Sequence, residues 1–258
     1  MEIEFLGTGT STGVPQVGCK CEVCTSLDPR DNRLRCSAYV TEGDTHILID
    51  CGPDFRQQIL RLQRTRKQIP VPIDAVLVTH IHYDHVGGFD DLRPYCAITP
   101  LPVYARADVL SALRHQIPYC FGDSHYPGSP TFELNPIDTE SFYINGVEIK
   151  PLPVWHGRLL INGFRIGSMA YITDASAIEP QVMQEINKLD VLIINALRKE
   201  PHPTHLSLSE AIEIIDQVKP KQAWLIHPSH HIGLHAKVQA SLPGNVHLAY
   251  DGLRLTIG

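Results

Sequence analysis

Short apolar runs alternate with turn-rich segments along the first half of the chain. IEFLG (3–7) reads as a strand entering a loop rich in glycine and threonine, GTGTSTG (7–13). SAYVTEG (37–43) and THILIDCG (45–52) read as a hairpin turning at Gly43-Asp44, where glycine can take a positive φ. Between 54 and 68 the period lengthens to that of a helix. Phe55, Ile59 and Leu62, with Ile69 as a further candidate, recur on one face. The other face carries Arg56, Arg61, Arg64, Arg66 and Lys67. DAVLVTH (74–80) predicts a short strand bounded by Pro72 and a histidine-rich turn.

ARADVLSALRHQI (105–117) has a helical pattern and CFGDSHYPGSP (120–130) that of a loop, but no motif organises the 105–140 region. VEIKPLPV (147–154) predicts a strand, and FRIGSMAYITD (164–174) a hairpin interrupted near Gly167-Ser168. A simpler cycle follows: a helix at 178–188, a strand DVLIINA (190–196), a helix at 207–218 and a strand AWLIH (223–227). Short strands at 246–249 and 253–257 close the chain. Ser207, Ser209, Glu210 and Glu213 suit a helix N-terminus. A sheet-rich first half and a second half of β-α units fit an α/β sandwich, with histidines on loops at the carboxyl ends of strands.

The 258 residues are 43% hydrophobic and 19% charged, enough for a full core in an ordinary globular chain. A net charge of -6 removes the bulk electrostatic reason to bind nucleic acid. The basic 56–67 face is the main feature in its favour, and it reads more simply as a solvated helix face. Apolar runs such as VLII (191–194) fall far short of the ~20 residues of a membrane helix. The opening MEIEFLGTG has no positive n-region and no long apolar segment, so a cytoplasmic location is expected. The seven cysteines are odd in number, and three cluster in C19-K-C21-E-V-C24. Without an export signal this favours metal ligation over disulfides. Cys36, Cys51, Cys96 and Cys120 are expected to be small buried residues.

T79-H80-I81-H82-Y83-D84-H85-V86-G87-G88 carries the main chemical signal. Four ligand-bearing residues fall within six positions after an apolar strand. His80 and His82 can project to one side, while Asp84 and His85 turn towards a second centre. Imidazole suits zinc, manganese and iron, and a carboxylate adds charge and hardness. A polar surface loop with chance histidines is the plain alternative, made weak by this spacing.

The H-x-H-x-D-H run resembles the metallo-β-lactamase superfamily, over nearly the whole chain. The resemblance implies a single catalytic domain over 1–258 with an α/β fold, an αββα sandwich of two mixed sheets flanked by helices. It makes Asp50 of LIDCG (48–52) an orienting group that does not bind metal; a turn-capping carboxylate is the alternative. PLPVWHG places His156 with His80 and His82 on one metal. AWLIHPSH places His227 with Asp84 and His85 on another, and AYITDAS makes Asp174 the bridge. Each of these three lies where a strand pattern gives way to a loop, though singly each reads as a hydrogen-bonded polar residue. The implied ions are two divalent metals, manganese or zinc.

GTGTSTGVPQVGCKCEVC and H227-P-S-H230 narrow the resemblance to the PhnP-type branch, phosphoribosyl 1,2-cyclic phosphate phosphodiesterases. It implies a structural zinc on Cys19, Cys21, Cys24 and His230, with neighbouring His231 as a substitute. PTHLSLSEA resembles the segment that sets a histidine before a helix. His205 is thus the general-acid candidate, His202 its competitor, and an ordinary loop residue the alternative. The implied reaction is hydrolysis of a small cyclic phosphate, 5-phosphoribosyl 1,2-cyclic phosphate to ribose 1,5-bisphosphate. Asp84 and Asp174 would frame the attack at phosphorus and His205 would serve the leaving oxygen. Amides of Gly7, Gly9 and Gly13, with Arg158, Arg198 and Lys199, are weak candidates for a distal phosphate. The expected partner is a small phosphorylated sugar or cyclic phosphate, with neither nucleic acid nor membrane; a homodimer stays open. Competing readings are a tRNA 3′-processing-type or nucleotide phosphodiesterase, a lactone or thioester hydrolase, and a non-catalytic, metal-stabilised interaction protein.

Overall fold

Alternation of side chains along each strand sorts the apolar residues into three layers in the computed structural model, which describes residues 1–121 and 128–258. Positions 122–127 of the loop expected at 120–130 lie outside the described residues.

The first half contributes β1 (Glu2–Gly7), β2 (Ser37–Glu42), β3 (Thr45–Ile49), α1 (Phe55–Arg66), β4 (Ala75–Leu77), α2 (Tyr83–Val86), β5 (Leu101–Ala105), α3 (Ala107–Gln116) and β6 (Phe132–Pro136). The second contributes β7 (Phe142–Ile144), β8 (Val147–His156), β9 (Leu159–Ile166), β10 (Met169–Ile172), α4 (Pro180–Glu185), β11 (Val191–Asn195), α5 (Leu208–Val218), β12 (Gln222–Ile226), α6 (His235–Gln239) and β13 (Val246–Leu248). The last strand, β14 (Arg254–Thr256), crosses back to the first sheet beside β1.

Among the described residues each sheet has seven strands, in the orders β14-β1-β2-β3-β4-β5-β6 and β13-β12-β11-β10-β9-β8-β7. Both repeat one plan. β14 to β3 and β7 to β10 pair antiparallel; β3 to β6 and β10 to β13 pair parallel. The first half is therefore not simply a set of hairpins. Its parallel strands β5 and β6 fall where the sequence showed no strand, because LPVYA is short and FELNP is only partly buried.

Ile47 and Ile49 of β3 meet Val191 and Ile193 of β11 between the sheets. Leu48 faces Phe55, Ile59 and Leu62 of α1. Leu192 and Ile194 face Ala211, Ile215 and Val218 of α5. β11 reads VLII because both of its faces are buried. Helices thus cover both outer faces of an αββα sandwich. Ser207 caps α5 in a reciprocal pair with Glu210, as its sequence suggested.

Several local expectations change. The helix expected at 178–188 is confined to Pro180–Glu185, and Ile69 is exposed beyond the end of α1. Cys36, Cys51 and Cys120 are buried, but Cys96 is half-buried. The basic face of α1 is only partly solvated. Arg61 donates to the Leu6 carbonyl, while Arg66 pairs with Glu2 and Glu4 and lies 5.0 Å over the Tyr39 ring. These two cations fasten α1 to β1, leaving Arg56, Arg64 and Lys67 exposed. No helix among the described residues is long and apolar enough to cross a membrane.

Candidate metal centre

Loops at one end of the two sheets converge through a repeated backbone device. Asp50 (φ 60), Asp174 (φ 58) and His227 (φ 59) follow β3, β10 and β12 in the left-handed conformation. This conformation is uncommon outside glycine and costs about 1–3 kcal/mol where it is strained. Each buried isoleucine beneath it contributes about 1.5–3 kcal/mol, so the packed strands can hold three such turns. Asp50 and Asp174 also occupy equivalent places, each where its sheet changes from antiparallel to parallel.

Local bonds fix each turn. Asn195, at the end of β11, accepts from the Ala175 amide at 2.8 Å and donates to its carbonyl at 2.9 Å, holding the peptide after Asp174. The His227 amide donates to the Thr8 carbonyl at 2.8 Å. Gly52 lies against the histidine motif so closely that a Cβ there would be 2.0 Å from the Asp84 carbonyl oxygen. Only glycine lets these two loops meet.

Two clusters of ligating atoms result. His80, His82 and His156 form one; Asp84, His85, Asp174 and His227 form the other, with all ligating atoms of each cluster within 4.8 Å of one another. His80 Nε2 lies 3.1 Å from His82 Nδ1, near the ~3.3 Å tetrahedral edge expected for Zn–N bonds of about 2.0–2.1 Å. The far nitrogens are oriented by hydrogen bonds. His80 Nδ1 meets Thr79 Oγ1 at 3.0 Å, His156 Nδ1 meets the Thr204 carbonyl at 2.7 Å, and His85 Nδ1 meets Asp50 Oδ2 at 2.7 Å. These contacts direct His80 Nε2, His156 Nε2 and His85 Nε2 inward. Asp50 also accepts from the Thr79 amide and hydroxyl, both at 2.8 Å.

The second cluster is short of positive charge. His85 Nε2 is 3.0 Å from Asp84 and 3.3 Å from Asp174, while His227 Nε2 is 3.1 Å from Asp174. Yet His85 Nε2 and both His227 nitrogens are buried without a hydrogen-bond partner. Burial opposes charge on Asp174, but His227 and His85 hold its carboxyl well below the usual range. Burial likewise opposes a charged His85, and is outweighed by Asp174, Asp50 and Asp84, which push it well above ordinary imidazole. Inward lone pairs and carboxylates in a dry site are the donor set of a divalent cation. The residues present fit such ions.

Asp174 also meets His205, Nε2 to Oδ1 at 3.1 Å, and these two with His156 form a further cluster. His202 lies outside the clusters, with its Nδ1 3.2 Å from His205 Nδ1. Some 20 residues of the N-terminal loop reach round to another group: Cys19, Cys21, Cys24 and His230 bring their ligating atoms within 4.8 Å. Cys19 Sγ and Cys21 Sγ lie 3.4 and 3.2 Å from His230 Nδ1. His231 is not in this group and packs its ring 4.1 Å from that of His230.

The weak phosphate candidates fare differently. The amides of Gly9 and Gly13 are bonded to the carbonyls of Leu34 and Thr10, so they are not presented to a ligand. Gly7 packs on Arg35, where a Cβ would be 1.9 Å from its carbonyl oxygen. Arg198 folds back on the carbonyls of Glu200 and Pro201. Arg158 and Lys199 are exposed. Thr8, Thr79, Asn195 and Thr204 escaped the sequence reading. Only Thr79 and Thr204, each preceding a singled-out histidine, carried any signal.

Asp50→Asn keeps the shape but replaces one carboxylate oxygen by an amide. We expect metal affinity at the second cluster to fall about 10–100-fold, since the His85 ring loses its acceptor. Calorimetric metal titration checks this, and an unchanged affinity would show that Asp50 only caps its turn.

The Beta-lactamase superfamily domain profile matches residues 45–228. An octanoyltransferase of Porphyromonas gingivalis is 42% identical over 260 residues, spanning 100% of this chain and 52% of that protein. The chain therefore covers about half the length of that relative. Among solved structures, a diphosphatase from the PhnP family superposes with a TM-score of 0.90 at 39% identity, covering 98% of this chain and 96% of that one. Zinc-bound PqqB from Methylobacterium extorquens superposes with a TM-score of 0.77 at 20% identity, covering 100% of both chains, a likeness of fold.

Proposed function

The chain belongs to the metallo-β-lactamase superfamily and, within it, to the PhnP family; from this premise we propose that it is a metal-dependent phosphodiesterase acting on a small cyclic phosphate. The favoured substrate is 5-phosphoribosyl 1,2-cyclic phosphate, opened to ribose 1,5-bisphosphate. The reading is carried by one arrangement: Asp174 belongs to the four-ligand cluster and also touches His205 at its edge.

His80, His82 and His156 would hold one divalent ion, and Asp84, His85, Asp174 and His227 a second, manganese or zinc. When bound, such ions polarise a phosphoryl oxygen and lower the pKa of a water. The chain's own residues do the rest. Asp84 and Asp174 supply the negative charge that keeps cations in place and the acceptors that orient water. His205, with a side chain only 13% exposed, points Nε2 at Asp174 and is placed to serve the leaving oxygen. Burial lowers its pKa, against the pull of Asp174. The cysteine cluster with His230 would hold a structural zinc.

One observation favours a second reading. The 39%-identical neighbour is described as a diphosphatase, so a phosphoanhydride is the next substrate class. Both reactions break a P–O bond and use the same side chains. The octanoyltransferase name attaches to a protein with half its length unmatched here.

Phosphorus NMR of manganese-loaded protein tests the reading. Ring opening of the phosphoribosyl cyclic phosphate supports it. Cleavage confined to a nucleoside diphosphate moves the assignment to diphosphatase chemistry. Turnover of an octanoyl thioester with no phosphate ester cleaved would overturn it.

A further inference from the structure

We propose that Thr204 is a positioning residue that holds the leaving-group imidazole and one imidazole of the metal cluster in register. This rests on the reading of His205 as the group serving the leaving oxygen.

Two different groups of Thr204 reach two different rings. Its carbonyl accepts from His156 Nδ1 at 2.7 Å, and its hydroxyl lies 3.0 Å from His205 Nδ1. The rings so held stand 4.7 Å apart and 72° to one another. His205 Nε2 is then the nitrogen that faces Asp174, at 3.1 Å. One residue thus sets the spacing between a metal-binding ring and the ring beside the leaving group.

His202 gives the hydroxyl a direction. His202 Nδ1 accepts from the Thr204 amide at 3.4 Å and lies 3.2 Å from Thr204 Oγ1. A nitrogen with an accepting lone pair takes the single hydroxyl proton as well. Thr204 Oγ1 is left to accept from His205 Nδ1–H at 3.0 Å, with His202 Nδ1, 3.2 Å away, the second acceptor in reach of that N–H. With Nδ1–H held there, Nε2 faces the site, and the proton it gives to a leaving alkoxide is the second proton of the imidazolium, which leaves neutral His205 with Nδ1–H.

The loop is seated by packing too. Gly157, between β8 and β9, has φ +60, and a Cβ there would lie 2.9 Å from Thr204 Cγ2. The methyl group of Thr204 occupies the space that a side chain at 157 would need. Serine would keep the hydroxyl without that contact, and valine the contact without the hydroxyl.

Thr204→Val separates these roles, because the main-chain bond to His156 survives. With aryl phosphodiesters, a 4-nitrophenolate leaving group departs unaided, whereas an alkoxide needs a proton. We expect kcat to fall about 10–100-fold for alkoxide departure and about 2-fold or less for 4-nitrophenolate, with KM unchanged. Metal content should be unchanged, and Thr204→Ser should recover most of the loss. In metal-free protein, ¹H–¹⁵N spectra should show the His205 Nδ1–H resonance of wild type kept in Thr204→Ser and displaced in Thr204→Val, where His202 Nδ1 is the acceptor that remains. Equal losses for both leaving groups, no loss, or an unchanged Nδ1–H signal would overturn the proposal. Thr204→Ala carries the same ratio test if the valine variant melts early. His205→Ala, run in parallel, separates the two readings. If it lacks the leaving-group dependence, the role of His205 fails; if it shows the dependence and Thr204→Val does not, only the role of Thr204 fails.

Discussion

Asp174→Ala should reduce phosphodiester turnover by about a thousandfold or more while the cysteine cluster keeps its zinc. Among the described residues, Asp174 is the one shared between the four-ligand cluster and the cluster with His156 and His205. Its Oδ1 is 3.1 Å from both His227 Nε2 and His205 Nε2, and its Oδ2 is 3.3 Å from His85 Nε2. Truncation removes a full negative charge from a dry site and leaves three imidazoles facing one another. The second ion should be lost, and His205 should lose its anchor. The main chain should survive, because Asn195 holds the Ala175 peptide and not the Asp174 side chain. Metal counting by mass spectrometry, beside kcat, is the check. Turnover near wild type would remove Asp174 from the chemistry; loss of all metals, the cysteine-bound zinc included, would show that the two sites are not separate.

What was legible in the sequence follows the distance over which each interaction acts. His80, His82, Asp84 and His85 lie within six positions, so the sequence alone shows them as one group. His156, Asp174 and His227 were placed by resemblance and by strand-to-loop transitions; the structure sets His156 with His80 and His82, His227 with Asp84 and His85, and Asp174 beside both His227 and His156. Strands β3, β4 and β11 announced themselves because their apolar runs are buried on both faces. β5 and β6 did not: they sit towards one edge of the first sheet, where part of each strand is uncovered. The ion pairs of Arg61 and Arg66 also escaped: Arg66, four residues after Leu62, falls on the buried face of α1 and not on the polar one, and a helical wheel does not show what it meets there. Their partners, Glu2, Glu4 and Asp251, are far away in sequence.

The repeated sheet plan was equally hidden. Asp50 and Asp174 share a backbone conformation and an equivalent place, yet they diverge in task. Asp50 is enclosed by Thr79 and His85, which use both of its oxygens. Asp174 faces His227, His85 and His205 across the site. The same strand-end turn thus delivers a carboxylate behind the clustered imidazoles in one half and among them in the other. Composition cannot distinguish these, because only the partners differ.

The largest effect on stability is expected from Cys21→Ala. The 10–28 loop buries only Val14 and Val23 among its large apolar side chains, and Val17 and Leu27 are 96% and 99% exposed. It is tied down by the Thr10 amide to the Pro228 carbonyl and by the four-residue cluster with His230. The Cys24 amide and His230 pull the Cys21 thiol down to about 6, so it is largely thiolate at neutral pH. Burial pushes Cys24 up to about 11, with the neighbouring Cys19 and Cys21 adding to the effect. Without a cation Cys24 thus keeps its proton while Cys21 is charged; three sulfurs with one imidazole suit tetrahedral zinc, which would draw that proton off. Structural zinc binding can supply 10 kcal/mol or more in small domains; in this larger fold, loss of one ligand should cost about 3 kcal/mol. At this chain length that lowers Tm by about 6–12 °C. One equivalent of zinc should leave with it, and turnover should fall as well, because His230 lies three residues beyond His227. Full zinc content with unchanged melting would show that the cysteines are bystanders. Loss of zinc with unchanged melting would show that the loop holds itself, through the Val14–Arg33 pairing and the Asp31 carboxylate that accepts from the His235 amide.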